Sequence, residues 1–82
     1  MYVEALRPRL KKFLSKRNLD AKFEKQISLY LSNPIHPSLN TELLEPKDDG
    51  FYSFRIDRKY RAIFVFTDHG TIRIIDINNH YK

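Results

Sequence analysis

The spacing of apolar residues changes period once along this chain, at Asn33-Pro34, and that change restricts it to an α+β architecture. Before it, Leu10, Phe13 and Leu14 form one stripe, and Phe23, Ile27, Tyr30 and Leu31 form another. Spacings of three and four residues put each set on one helix face. Pro8 suits a first helical turn, where its missing N–H has no partner anyway. Asn18 or Asp20 can cap the second helix, and Asn33-Pro34 stops it because a residue before proline is pushed out of the helical region. Beyond that point the pattern alternates. Residues 41–45, 51–56, 60–67 and 71–77 read as strands, with Tyr52, Phe54 and Ile56 opposed to Ser53 and Arg55. The cluster Pro46-Lys47-Asp48-Asp49-Gly50 is a turn, residues 35–40 are a loop, and Asp68-His69-Gly70 is a tight hairpin with glycine at positive φ. Residues 2–6 make a short edge strand. The expected fold is α+β: a short N-terminal strand, a two-helix hairpin, then a four-strand antiparallel meander forming a small sheet with the helices packed on one face.

Length and composition exclude several classes. The 82 residues leave room for one domain, 1–82, with a single modest core, and no repeat or linker divides them. At 41% hydrophobic and 13% aromatic the chain is too apolar for a disordered tail. Without cysteine there is no disulfide scaffold, thiolate metal site or cysteine nucleophile. Arg7, Pro8 and Arg9 interrupt the opening residues before an apolar run of secretory length develops, and nothing approaches the ~20 apolar residues of a membrane span. The expectation is a soluble cytoplasmic protein with no membrane association.

Net charge is +5, and its location says more than its size. All of the surplus falls within residues 1–25, on Arg7, Arg9, Lys11, Lys12, Lys16, Arg17, Lys22 and Lys25; residues 26–82 are balanced. A basic excess points toward polyanions, nucleic acid first. Lys11 and Lys12 are therefore candidate RNA contacts, although a basic helix is most often a solvated face.

The chemistry lies elsewhere. In the strand at 60–67, Tyr60, Ala62, Phe64 and Phe66 oppose Arg61, Ile63 and Val65. With the aromatic set in the core, Arg61 projects from the open face beside Arg55 or Arg73. His80 and Tyr81 close the last strand, an imidazole next to a phenol, suited to proton transfer or base stacking. RNA supplies its own nucleophile, the 2′-hydroxyl. An enzyme need only remove that proton, neutralise the phosphoryl oxygens and protonate the leaving oxygen, roles that His80, Arg61 and Tyr81 can divide without a metal. The plainer readings are a surface His-Tyr pair and a structural bridge from Arg61 to Asp57 or Asp76. His36 and His69 fall in loops, no ligand spacing suggests a metal, and two glycines make no phosphate loop, so no cofactor is expected.

Residues 36–81 carry G-F-Y-S-F-R-I-D, then Y-R-A-I-F, then H-Y. Their order and spacing resemble the RelE/ParE superfamily of type II toxin–antitoxin toxins, closest to its YoeB-like and RelE-like mRNA interferase branch. The N-terminal strand and helical hairpin fit the same fold, so the resemblance covers essentially the whole chain. It implies a toxin neutralised by a cognate antitoxin, whose active members cut mRNA in the ribosomal A site. The arginine of the "yR" strand motif falls on Arg61, and the branch's terminal His-Tyr pair on His80 and Tyr81. The branch's catalytic glutamate belongs in the loop that reads His36-Pro37-Ser38-Leu39 here, with no acid. His36, Glu42 and Glu45 are the candidate replacements. RelE-like members rely on several basic residues, for which Lys47, Arg55 and Arg73 are the candidates. A ParE-like toxin that inhibits gyrase generally lacks the histidine, so His80 argues against that alternative. A degenerate homologue without activity is the other.

Overall fold

The computed structural model describes residues 2–79, apart from the side chain of His69. Its elements follow directly from the local sequence. β1 (Tyr2–Val3) leads into α1 (Pro8–Lys16), which opens on its proline and buries Leu10 and Leu14. At the far end of α1 the Arg17 guanidinium lies 3.7 Å from the centre of the Phe13 ring and donates to the Phe13 carbonyl, where a cation also complements the helix dipole. Asn18 then takes the left-handed conformation, φ +54°, and turns the chain into α2 (Asp20–Ser32). This corrects the expected cap. Asn18 is spent on the reversal, Asp20 is already the first helical residue, and Leu19 precedes the helix without a side-chain cap. Asparagine tolerates this backbone region better than a bulky residue does.

The chain next crosses to the opposite side of the sheet and works its way back. β2 (Glu42–Leu43), β3 (Tyr52–Arg55), β4 (Arg61–Phe66) and β5 (Thr71–Asn78) form an antiparallel meander. β1 pairs in parallel with β5, giving a five-stranded mixed sheet in the order β1-β5-β4-β3-β2. The N-terminal strand is thus an edge strand, as expected, and the two helices supply the long crossover that a sheet of this order needs. β2 is shorter than the expected 41–45, and residues 37–39 of the preceding loop wind into one 3-10 turn. Gly70 sits at φ +79°, the conformation that the Asp68-His69-Gly70 hairpin requires.

Both helices pack on one face. Leu10, Leu14, Phe23, Ile27 and Tyr30 meet Phe54, Ala62, Phe64, Ile72, Ile74 and Ile77. Aromatic rings organise the centre: Tyr30 stacks on Phe54 at 5.8 Å and meets Phe64 edge-on at 5.1 Å. Each such ring contributes roughly 1.5–3 kcal/mol by burial. The aromatic side of β4 is therefore the core side, and Arg61 faces away from the helices. Between Ile63 and Phe64 the register slips, so Ile75 is an extra residue on β5. Such a bulge twists the strand where it approaches the open face. No helix among the described residues is long and apolar enough to cross a membrane.

Candidate functional site

Strand register builds the site. Arg55 lies opposite Arg61, Arg61 opposite Asn78, and Glu42 opposite Ser53. Cross-strand partners share a face, so Glu42, Ser53, Arg55 and Arg61 gather on the side of the sheet away from the helices. There they contribute to a cleft of about 220 Å³ lined by Asn40, Glu42, Arg55, Asp57, Arg58, Lys59 and Arg61.

Arg61 forms the floor rather than a free projection. Its face agrees with the sequence reading; its exposure does not, since only 8% of the residue is accessible. Nε donates to Ser53 Oγ at 2.9 Å, while Nη2 donates to the Asn40 carbonyl at 2.6 Å and the Ser53 carbonyl at 3.3 Å. The loop before β2 thus closes over the guanidinium from one side and β3 from the other. Asn40 aims its carbonyl inward from a left-handed backbone, φ +45°, at the end of the 3-10 turn. Burial pulls the Arg61 guanidinium below the usual arginine value; the Glu42 carboxylate opposes that, and the Arg55 charge adds to it. An arginine nonetheless remains a fixed cation at physiological pH.

Gln26 holds this arrangement together. Its Nε2 donates to the Arg55 carbonyl at 2.8 Å and to the Ser38 carbonyl at 3.4 Å, tying α2 to both β3 and the loop. Sequence reasoning missed it, and Ser53 as well. Both carry the same signal, a polar side chain at a buried position: Gln26 interrupts the stripe Phe23, Ile27, Tyr30, and Ser53 is fully buried between Tyr52 and Phe54.

Of the two carboxylates at the cleft, Asp57 is committed to structure. Its Oδ1 accepts the N–H groups of Lys59 and Tyr60, both at 2.8 Å, and its Oδ2 lies 3.4 Å from Lys22 Nζ. Partial burial works to raise its pKa, but those three donors hold it below the usual carboxylate value. Glu42 is the acid placed beside Arg61, and of the three candidate replacements for the missing loop glutamate it alone lines the cleft. Glu45 is exposed beyond β2. His36 accepts the Ser38 N–H at Nδ1, 3.1 Å, and does not line the cleft.

Not every residue expected to touch RNA arrives at the cleft. Arg55 does. Arg73 pairs with Val65 further along the sheet and is engaged by Glu4 at 2.8 Å, away from the cleft. Lys47 lies in the turn before β3, and Lys11 and Lys12 are exposed on α1; none of the three lines the cleft. The alternative bridges from Arg61 have other partners: Asp57 meets Lys22, and Asp76 meets Arg9 at 3.6 Å. His80 and Tyr81 lie outside the described residues. No cluster of three or more His, Cys, Asp or Glu able to hold a metal occurs among the described residues.

No protein-family model matches the chain, and no curated protein matches it in sequence. Solved structures do match. YafQ from Escherichia coli strain BL21(DE3) superposes with a TM-score of 0.73 at 16% identity, over 96% of this chain and 90% of that one. A YoeB/ParE toxin from Agrobacterium tumefaciens gives 0.71 at 17% identity over 99% and 100%. The E. coli DinJ-YafQ toxin-antitoxin complex gives 0.72 at 16% identity over 96% and 89%. Coverage is nearly complete in both directions, so this chain shares the fold of these toxin structures.

Proposed function

We propose that this protein is the toxin of a type II toxin–antitoxin pair and acts as a ribosome-dependent mRNA endoribonuclease that inhibits translation. The observation that carries the reading is the cleft itself: four cations, Arg55, Arg58, Lys59 and Arg61, converge with Glu42 on a site whose floor is a buried, hydrogen-bonded arginine. A fixed positive charge with little freedom to reorganise is what a phosphate accumulating negative charge demands.

In the reaction the substrate's 2′-oxygen bonds to the adjacent phosphorus and the bond to the 5′-oxygen breaks, leaving a 2′,3′-cyclic phosphate and a 5′-hydroxyl. Arg61 neutralises the phosphoryl oxygens and Arg55 supports it. The 2′-hydroxyl proton passes to His80 or to Glu42, the carboxylate that lines the cleft beside Arg61. Tyr81 protonates the leaving oxygen or stacks on a base. The nucleophile belongs to the RNA, so these protein groups suffice for the proton transfers without a metal. Solved toxin–antitoxin complexes of the same fold support an antitoxin as partner. The surplus charge of residues 1–25 suits docking to ribosomal RNA or to an acidic antitoxin, and its contribution falls as salt rises.

Induced expression with mapping of mRNA 5′ ends tests this. Arg61→Met fills the vacated volume without leaving a buried charge, and a cooperative urea transition checks that the variant folds despite the donors withdrawn from Ser53 and Asn40. It is expected to lower cleavage by about 10²–10³-fold, the usual loss for one electrostatic stabiliser. Cleavage by Arg61→Met at the parent level refutes the mechanism. The A. tumefaciens neighbour keeps a ParE-like reading open. Such a toxin would arrest growth through gyrase with mRNA uncut, and an inert module of this fold would not arrest growth at all.

A further inference from the structure

Asp57 is an acid on the wall of a cleft otherwise suited to anions. Four cations and two carboxylates line that cleft together with Asn40. Glu42 stands beside Arg61, whereas Asp57 belongs to the loop, residues 56–60, that joins β3 to β4. By charge alone, the Asp57 carboxylate weakens the pull on a phosphate, and its removal should strengthen it. Its contacts point to the opposite contribution.

Asp57 Oδ1 accepts the N–H groups of Lys59 and Tyr60, both at 2.8 Å, across the residue Arg58. Backbone bonds close the same loop, since the N–H groups of Ile56 and Asp57 donate to the Tyr60 carbonyl at 2.9 and 3.3 Å. A carboxylate bonded in this way fixes the path of the chain over the next three residues. Lys22 Nζ, 3.4 Å from Oδ2, ties the turn to α2. Only 22% of the Asp57 side chain is accessible, so its charge is spent on these donors more than it is presented to the cleft. Arg58 and Lys59 are exposed, and neither enters an ion pair among the described residues. The Lys59 ammonium lies 5.5 Å from the centre of the Tyr60 ring, which in turn meets Phe13 edge-on at 5.7 Å. Two cations thus stand on a turn whose backbone is ordered before any ligand arrives, which lowers the entropy lost on binding.

We propose that Asp57 is a positioning residue: it holds the turn over residues 57–60 so that Arg58 and Lys59 grip backbone phosphates flanking the one neutralised by Arg61. The inference rests on the nuclease reading above and deepens it by assigning these two cations and the acid that places them.

Fluorescence anisotropy of a short single-stranded RNA with 2′-O-methyl riboses, which binds without being cut, tests this between about 50 and 200 mM salt. Each phosphate neutralised on a single strand adds about −0.7 to the slope of log K against log salt. Asp57→Ala is expected to bind more weakly than the parent and to flatten that slope by about 0.7–1.4, the share of one to two phosphate contacts. Arg58→Ala with Lys59→Ala should flatten it by about 1.4. Adding Asp57→Ala to that pair should change nothing further, because Asp57 acts through those two side chains. Asp57→Asn keeps an oxygen for the Lys59 and Tyr60 N–H groups without the charge, and is expected to recover the parental slope. A cooperative urea transition for each variant excludes unfolding as the cause. Tighter binding by Asp57→Ala, an unchanged slope, a further loss in the triple variant, or an Asp57→Asn slope as flat as that of Asp57→Ala overturns the positioning role. The nuclease reading survives each of these where the parent still cuts mRNA in the 5′-end mapping. A parent that cuts mRNA without holding the probe also overturns the positioning role alone. A parent that neither holds the probe nor cuts overturns both.

Discussion

Ser53→Ala removes a single oxygen from the middle of β3, and that oxygen accepts the hydrogen bond from Arg61 Nε at 2.9 Å. Ser53 is fully buried and Arg61 nearly so, and water does not readily replace the lost acceptor. A hydrogen bond to a charged group is worth about 1.5–3 kcal/mol, and leaving its donor buried and unmet draws on that full range. Volume change and strand propensity contribute little between Ser and Ala at a position already paired with Ile63. Taking ~2 kcal/mol, the melting temperature of a domain this size falls by about 8–16 °C. Urea denaturation of the parent, Ser53→Ala, Arg61→Met and the double variant isolates the bond. Once Arg61 is gone, Ser53→Ala has no guanidinium to abandon, so the cycle should show a coupling of about 1.5–3 kcal/mol. A coupling below ~0.5 kcal/mol would show that Ser53 does not hold Arg61, and the preorganised floor on which the cleft depends would lose its support.

Gln26→Leu improves the apolar stripe of α2 but strips two carbonyls of a donor, those of Arg55 and Ser38. Destabilisation of about 1–3 kcal/mol in urea is expected, whereas stabilisation would mean the amide is a passenger. Asp57 has a folded-state pKa below its ordinary value of 3.8. Its contribution is therefore present above that value and lost as pH falls through the folded one. Acid unfolding curves should show Asp57→Asn losing less stability than the parent below about pH 3.8, and identical acid limbs would contradict the assigned contacts.

Some of the site was legible in the sequence and some was not, for separable reasons. Arg61, Arg55 and Ser53 share a face because strand side chains alternate, a local rule legible in residues 52–66. Arg61 is nevertheless buried, because Asn40 reaches it from 21 residues away in sequence, and that approach depends on the left-handed turn at Asn40 and on the Gln26 tether. Likewise Glu42 and Glu45 are equivalent as letters. Only the register of β2 on β3, Glu42 opposite Ser53, separates the acid that lines the cleft from the one that does not. Arg73 shows the converse. It shares the sheet with Arg61, but the parallel pairing of β1 beside β5 brings Glu4 to it from 69 residues away in sequence.

By itself the sequence determined the element types and their order, since periodicity, prolines and turn residues act over a few positions and need no distant partner. It also determined which side of each strand is apolar. The tertiary structure decided what those surfaces become. Which edge β1 joins, how deeply Arg61 sinks and which carboxylate stands beside it are all settled by contacts between segments far apart in the chain. Burial and charge environment are properties of such contacts, and no local pattern encodes them.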